Sequence, residues 1–80
     1  MFYVYMLRSS SAPAQTYIGF TDDLKNRVAV HNNGGSRHTA KYRPWTLVNY
    51  QAFSDRDRAL AFEKYLKTGS GKAFAKKRLW

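Results

Sequence analysis

No cysteine occurs anywhere in this 80-residue chain. Disulfide scaffolds, cysteine-held zinc, iron–sulfur clusters and thiol nucleophiles are therefore excluded. A chain this short has a poor ratio of surface to volume, so its stability must come from a compact hydrophobic core. Material for that core is present, because 44% of the residues are hydrophobic and 16% aromatic, which is more than a disordered chain carries. No apolar run approaches transmembrane length, and Met1–Arg8 is too short and too aromatic for a secretory signal. The expectation is one soluble domain over residues 1–80, located in the cytoplasm.

Local patterning gives the elements. Phe2–Leu7 is aromatic and β-branched and alternates, with Tyr3, Tyr5 and Leu7 on one face and Phe2, Val4 and Met6 on the other. Thr16–Phe20 reads as a second short strand after the loop Ser9–Gln15. Thr21 or Asp22 caps a helix running to about Asn32, which Asn33-Gly34-Gly35 stops. Ser36–Pro44 reads as a basic loop and Trp45–Phe53 as a third strand. Ser54 with Asp57 makes a capping box for a helix of about thirteen residues. Thr68-Gly69-Ser70-Gly71 breaks that helix, and Ser70 or Gly71 opens a last basic one. The order β-β-α-β-α-α predicts an α+β fold, a small three-stranded antiparallel sheet flanked by helices.

The charge is lopsided. Fourteen Lys and Arg against five acids give a net +9, a surplus that marks a polyanion-binding surface, nucleic acid before membrane. Lys64, Lys67, Lys72, Lys76, Lys77 and Arg78 follow one another with no acid between them, and Arg37, His38, Lys41 and Arg43 form a second cluster. Such residues track phosphates without reading sequence, so binding is expected to be sequence-tolerant and salt-dependent. Trp45 reads as core and Trp80 as simply terminal.

Some polar residues fall where apolar ones belong. Leu24, Arg27, Val28 and His31 share one face of the first helix, so an Arg and a His lie along an apolar stripe. Ala59, Phe62, Glu63 and Leu66 share a face of the second, and Glu63 is the only glutamate. A carboxylate turned toward the sheet is expensive unless paired or metal-bound. Its alternative is an ordinary pair with Lys67 four residues on, which contributes about 0.3–0.5 kcal/mol when exposed. Tyr3, Tyr5 and Tyr17 point the same way, and Gly19 sits two residues beyond Tyr17, where something approaches the backbone closely. The two histidines are too far apart in sequence to suggest a zinc pair.

The ordered set Tyr3-Val4-Tyr5, Tyr17-Ile18-Gly19, Arg27, His31 and Glu63 resembles the GIY-YIG nuclease superfamily. Thr21, Leu24, Asn32, Arg43-Pro44, Lys67 and Lys76-Lys77 are similar to its small stand-alone bacterial proteins. The resemblance covers essentially the whole chain. It departs in two places. Tyr3 stands where the first tripeptide has Gly, and Gly71-Lys72-Ala73-Phe74-Ala75 offers no counterpart to a polar Asn found downstream of the glutamate in several active members.

The resemblance implies a metal-dependent endonuclease that hydrolyses DNA phosphodiesters, leaving a 5′-phosphate and a 3′-hydroxyl, weakly sequence-specific and structure-selective in repair or recombination. It implies that Glu63 binds a divalent metal, Mg²⁺ or Mn²⁺, and that Arg27 binds the phosphate. Tyr5 would take the proton from water, His31 would relay it, and Tyr17 would position the water or share the base role; the choice between the two tyrosines stays open. Gly19 would leave room for the scissile phosphate, with Arg37, Lys41, Arg43, Lys67, Lys72, Lys76 and Lys77 along the DNA. A nucleic-acid-binding module without catalysis is the alternative, and a basic accessory protein of RNA the third. No membrane partner is implied, and no residue argues for an oligomeric state.

Overall fold

The computed structural model describes all 80 residues. The elements are β1 (Phe2–Ser9), β2 (Thr16–Thr21), α1 (Leu24–Asn32), α2 (Arg37–Ala40), β3 (Trp45–Phe53), α3 (Arg56–Leu66) and α4 (Gly69–Arg78). The three strands form one antiparallel sheet in the order β2-β1-β3, in an α+β architecture. All three expected strands are present, and so are the three expected helices.

β1 is the central strand, and Val4, Tyr5, Met6 and Leu7 are all buried because helices cover both faces. The alternation predicted for β1 sorts the core in two. Tyr5 and Leu7 pack with Trp45, and with Tyr17, Leu24 and Val28, on the α1 side. Val4 and Met6 pack with Ala59, Leu66 and Ala75 on the α3 and α4 side. Both edge strands, β2 and β3, belong to the same register-defining pair of ladders, with Tyr5 opposite Gly19 on one side and Tyr50 on the other.

Boundaries differ from the sequence expectation for local reasons. α1 starts at Leu24 with Asp23 as its cap, accepting from the Asn26 amide at 3.2 Å. Thr21 is unavailable as that cap, since its hydroxyl accepts from the Asp23 amide in the preceding turn. The Ser36–Pro44 segment is not wholly loop: the Ser36 carbonyl accepts from the amides of Thr39 and Ala40, and one turn of helix, α2, follows. Asp55, not Ser54, caps α3. Thr68 caps α4, so that helix begins at Gly69, ahead of Ser70 and Gly71.

The turn between α3 and α4 is tight. The Thr68 hydroxyl donates to the Tyr65 carbonyl at 2.6 Å and accepts from the Gly71 amide at 3.1 Å. That places the Gly71 Cα against the Tyr65 carbonyl, where a Cβ would overlap the oxygen. Gly69 faces open space. Gly71→Ala is expected to lower unfolding free energy by about 1–3 kcal/mol, as overpacked sites do. Gly69→Ala is expected to be neutral or to stabilise by up to about 1 kcal/mol through helix propensity. Urea unfolding of both variants checks this; equal effects would show that the close approach does not matter.

Candidate active site

The α1 face of the sheet carries a cluster of polar and aromatic groups. Tyr5, at the centre of β1, is 1% exposed, and its hydroxyl lies 2.8 Å from Nε2 of His31. His31 is fully buried at the end of α1, with Nδ1 2.7 Å from the Thr39 hydroxyl of α2. Tyr17, on edge strand β2, packs on the His31 ring at 4.8 Å between centroids and on the Tyr5 ring at 6.1 Å. Arg27, one turn before His31, stands beside the Tyr5 and Tyr17 hydroxyls. The guanidinium interacts with the Tyr5 hydroxyl first as a hydrogen-bond donor and then through its charge.

Helical spacing explains the placement. Leu24 and Val28 anchor α1 on the sheet and thereby carry Arg27 and His31 inward with them. The C-terminal end of α1 is clamped by Asn32, whose side chain donates to the Trp45 carbonyl at 3.1 Å and accepts from the Trp45 amide at 2.5 Å. The Trp45 indole in turn donates to the Thr39 carbonyl at 2.8 Å. Trp45 is core, as its sequence context suggested, but it is also the link between α1, α2 and β3.

Gly19 makes room for Tyr5. It sits directly opposite Tyr5 in the ladder, and the Tyr5 phenol lies over its Cα so closely that any Cβ would collide with the ring. The space that a Cβ at Gly19 would take is filled by the Tyr5 phenol.

The electrostatics follow from burial. Burial pushes the Tyr5 phenol up to about 12, and the opposing pull of Arg27 does not outweigh it. Contact with the Tyr5 hydroxyl raises Arg27 further and keeps it charged. His31 is shifted below its ordinary value, first by burial and then by the positive charge of Arg27, so it is neutral at physiological pH. Both of its ring nitrogens are engaged within the protein.

Glu63 does not join this cluster. It lies on α3, which covers the opposite face, with its side chain 21% exposed and 3.1 Å from the Lys67 ammonium. The two halves meet along the β2 edge. A groove of about 850 Å³ there is lined by Tyr17 and Ile18 of β2, Lys67 at the end of α3, Lys72 and Lys76 of α4, and Arg8. It holds four cations and no acid. Arg8, which sequence analysis did not single out, lies over the Trp80 ring at 5.2 Å, so Trp80 is a wall of the groove rather than a loose end. Lys77 is exposed and lies outside the groove, and Arg37, Lys41 and Arg43 are exposed on and after α2, on the far side of His31. A second cavity, of about 540 Å³ beside Tyr3 and Tyr50, is lined by Asp22 and Asp23, whose charges would repel a phosphate.

No group of three or more His, Cys, Asp or Glu gathers anywhere. Of the residues carried by the resemblance, the Glu63 carboxylate is the candidate metal ligand, partly open and already holding one cation, the Lys67 ammonium. A single carboxylate fits Mg²⁺ or Mn²⁺, which keep waters and take further ligands from phosphate. It does not fit an ion that needs a cage of protein ligands, such as structural zinc. No helix is long and apolar enough to cross a membrane.

Residues 1–78 match the family described as the GIY-YIG catalytic domain. A UPF0213 protein of Lacticaseibacillus paracasei is 45% identical over 67 residues, covering 82% of this chain and 73% of that protein. A structure-specific endonuclease subunit SLX1 homolog of Giardia intestinalis is 40% identical over 65 residues, and structure-specific endonuclease subunit SLX1 of Candida dubliniensis 45% over 71. The matched segments make up 76% and 80% of this chain but only 18% and 25% of those two proteins.

The neutral, buried His31 has a measurable consequence. Its folded-state pKa lies below the unfolded value near 6.5, so the unfolded chain binds the extra proton first. Stability is therefore complete above about pH 6.5 and falls as pH drops through and below it. Urea unfolding between pH 7.5 and 5 is expected to show that decline, and His31→Gln to flatten it. An equal slope in the variant would place the titrating group elsewhere.

Proposed function

The chain belongs to the GIY-YIG family of nucleases, and from that premise we propose that it is a divalent-metal-dependent endonuclease hydrolysing DNA phosphodiesters with little sequence preference. The observation that carries this reading is the convergence of Tyr5, Tyr17, Arg27 and His31 beside a cationic groove that leads to Lys67 and Glu63. On this reading residues 1–80 work as one domain, because the two halves of the site lie on opposite faces of one sheet.

Hydrolysis forms a bond from a water oxygen to phosphorus and breaks the bond to the 3′-oxygen. Tyr17 is the phenol that lines the groove; as its phenolate it takes the water's proton, and the departing 3′-oxygen takes one from solvent. Tyr5 is a poor candidate for that role, being buried and held neutral by a pKa near 12. Arg27 is permanently charged and beside both phenols, and takes the non-bridging phosphate oxygens in a forked contact. Tyr5 and His31 hold Arg27 in place from behind and do not themselves move the substrate's proton. Glu63 would hold a divalent cation, most simply Mg²⁺, which would supply neutralisation of the negative charge of the phosphodiester. Lys67 must release Glu63 for that, and is then free for a phosphate. Lys72, Lys76 and Arg8 follow the strand along the groove, and Arg37, Lys41 and Arg43 hold a more distant part of the DNA.

One observation favours the alternative, a nucleic-acid-binding module without catalysis: the Glu63 carboxylate is occupied by Lys67. The two readings part in one assay. With plasmid, single-stranded and branched DNA, Mg²⁺ or Mn²⁺ is expected to give cleavage that EDTA abolishes. Glu63→Gln and Arg27→Ala are each expected to lower the rate by at least about 100-fold, as removal of a transition-state charge partner does, with DNA binding kept. Cleavage that survives EDTA sinks the metal-dependent reading, and binding without cleavage under every condition selects the module. An RNA competitor that displaces DNA at lower concentration would point to RNA as the partner.

The groove makes a separate prediction. Lys72→Ala with Lys76→Ala should reduce the slope of log affinity against log salt by about 0.7–0.9 for each lysine that meets a phosphate, while Lys77→Ala should leave it nearly unchanged. Equal effects from all three lysines would show that the groove is not the strand's path.

A further inference from the structure

We propose that Thr39 is a positioning residue that fixes His31 in the tautomer with its proton on Nδ1, and thereby aims the Tyr5 oxygen at Arg27. The inference rests on the reading of Arg27 as the phosphate-binding group, but its structural core does not depend on any activity.

The argument is one of hydrogen-bond direction. Four groups stand in line: Thr39 of α2, His31 of α1, Tyr5 of β1 and Arg27 of α1. Arg27 only donates. Beside the Tyr5 hydroxyl it therefore needs an oxygen lone pair, and the Tyr5 hydrogen has to point elsewhere. The well-aligned acceptor for that hydroxyl is Nε2 of His31, at 2.8 Å. Nε2 accepts only if it carries no proton, which in a neutral imidazole places the proton on Nδ1. Nδ1–H then donates to the Thr39 oxygen at 2.7 Å, and the Thr39 hydrogen passes to the Ser36 carbonyl at 3.4 Å. Every buried donor has an acceptor in this arrangement.

The opposite arrangement conflicts with itself at the Arg27 end. With the proton on Nε2, His31 donates to the Tyr5 oxygen, and the Tyr5 hydrogen turns away from His31 toward Arg27 and Tyr17. A positive pole then faces a permanent cation. The groups packed against His31 are Tyr5 from β1, Tyr17 from β2, Arg27 from its own helix and Thr39 from α2. No carboxylate is among them, so in that arrangement only the Tyr17 oxygen draws the hydrogen away from the cation. Thr39 is 1% exposed. A buried threonine on a four-residue helix otherwise made of Arg, His and Ala has a packing role, but packing alone requires no hydroxyl.

The chain holds two histidines, and the second, His38, is exposed, which makes the tautomer directly readable. Two-bond proton–nitrogen correlation of the imidazoles in ¹⁵N-labelled protein at pH 7.5 is expected to show the Nδ1–H form for His31. Thr39→Val keeps the shape and removes the oxygen, and is expected to move His31 to the Nε2–H form; Thr39→Ser is expected to retain Nδ1–H. Cleavage by Thr39→Val should fall on the order of 10- to 100-fold, as when other functional histidines lose their outer partner, with DNA affinity kept and Thr39→Ser restoring most of the rate. An Nε2–H form of His31 in the unaltered protein overturns the proposal, even if Thr39→Val fails to fold. A tautomer that does not respond to Thr39→Val overturns it as well. A switched tautomer with an undiminished cleavage rate would overturn the link to Arg27. A protein that cuts no DNA at all leaves the spectrum as the deciding measurement and faults the nuclease reading instead.

Discussion

The hydrogen bond between Tyr5 and His31 is the constraint around which this small protein is arranged. Tyr5 lies at the centre of the middle strand, where both faces of the sheet are covered, and a phenol placed there must find a partner or lose the hydration of its hydroxyl. His31 supplies it, and is held in turn by Thr39. Asn32 and Trp45 then lock the end of α1 and the single turn of α2 to the start of β3. The Tyr5 ring also dictates its neighbour across the ladder, since only glycine leaves room for it at position 19. A chain without disulfides thus obtains order on this face from a polar network sealed inside an aromatic shell.

The sheet divides labour. On the α1 side burial controls protonation: Tyr5 is kept neutral, His31 is kept neutral, and Arg27 stays charged. On the α3 and α4 side lie the lone glutamate and three of the lysines that line the groove. Tyr17 is the one side chain that belongs to both, because an edge strand can be reached from either face. The net charge of +9 sets the sign of the partner, and the groove shows where on the surface that charge is undiluted by acids.

Much of the fold could be read locally. The alternation of Phe2–Leu7, the strand Trp45–Phe53 and the helix-period stripes through Arg27, His31 and Glu63 all depend on neighbours a few residues apart, and each is present. Helix starts were less legible. Thr21, Ser54 and Ser70 are as good capping residues as Asp23, Asp55 and Thr68, and only the path of the chain selects among them. The turn at Arg37–Ala40 left no periodic trace, being a single turn. The distinct roles of Tyr5 and Tyr17 were likewise illegible, since the two residue types are identical and differ only in how deeply each is covered. Arg8 and Thr39 gave no signal, as an arginine at a strand end and a threonine in a basic segment are commonplace.

By itself the sequence determined the family, the order of strands and helices, the sign of the surface and the short set of side chains placed against their local pattern. Those properties are carried by spacing along the chain. Tertiary structure alone decided that Glu63 and Arg27 approach from opposite faces, that Gly19 is filled by Tyr5, that Tyr17 is the open phenol and that Thr39 stands behind His31. Such facts depend on strand order and register, which join residues far apart in sequence. A shift of one residue in the pairing of β1 with β2 would leave every local signal intact and take Tyr5 from the place opposite Gly19.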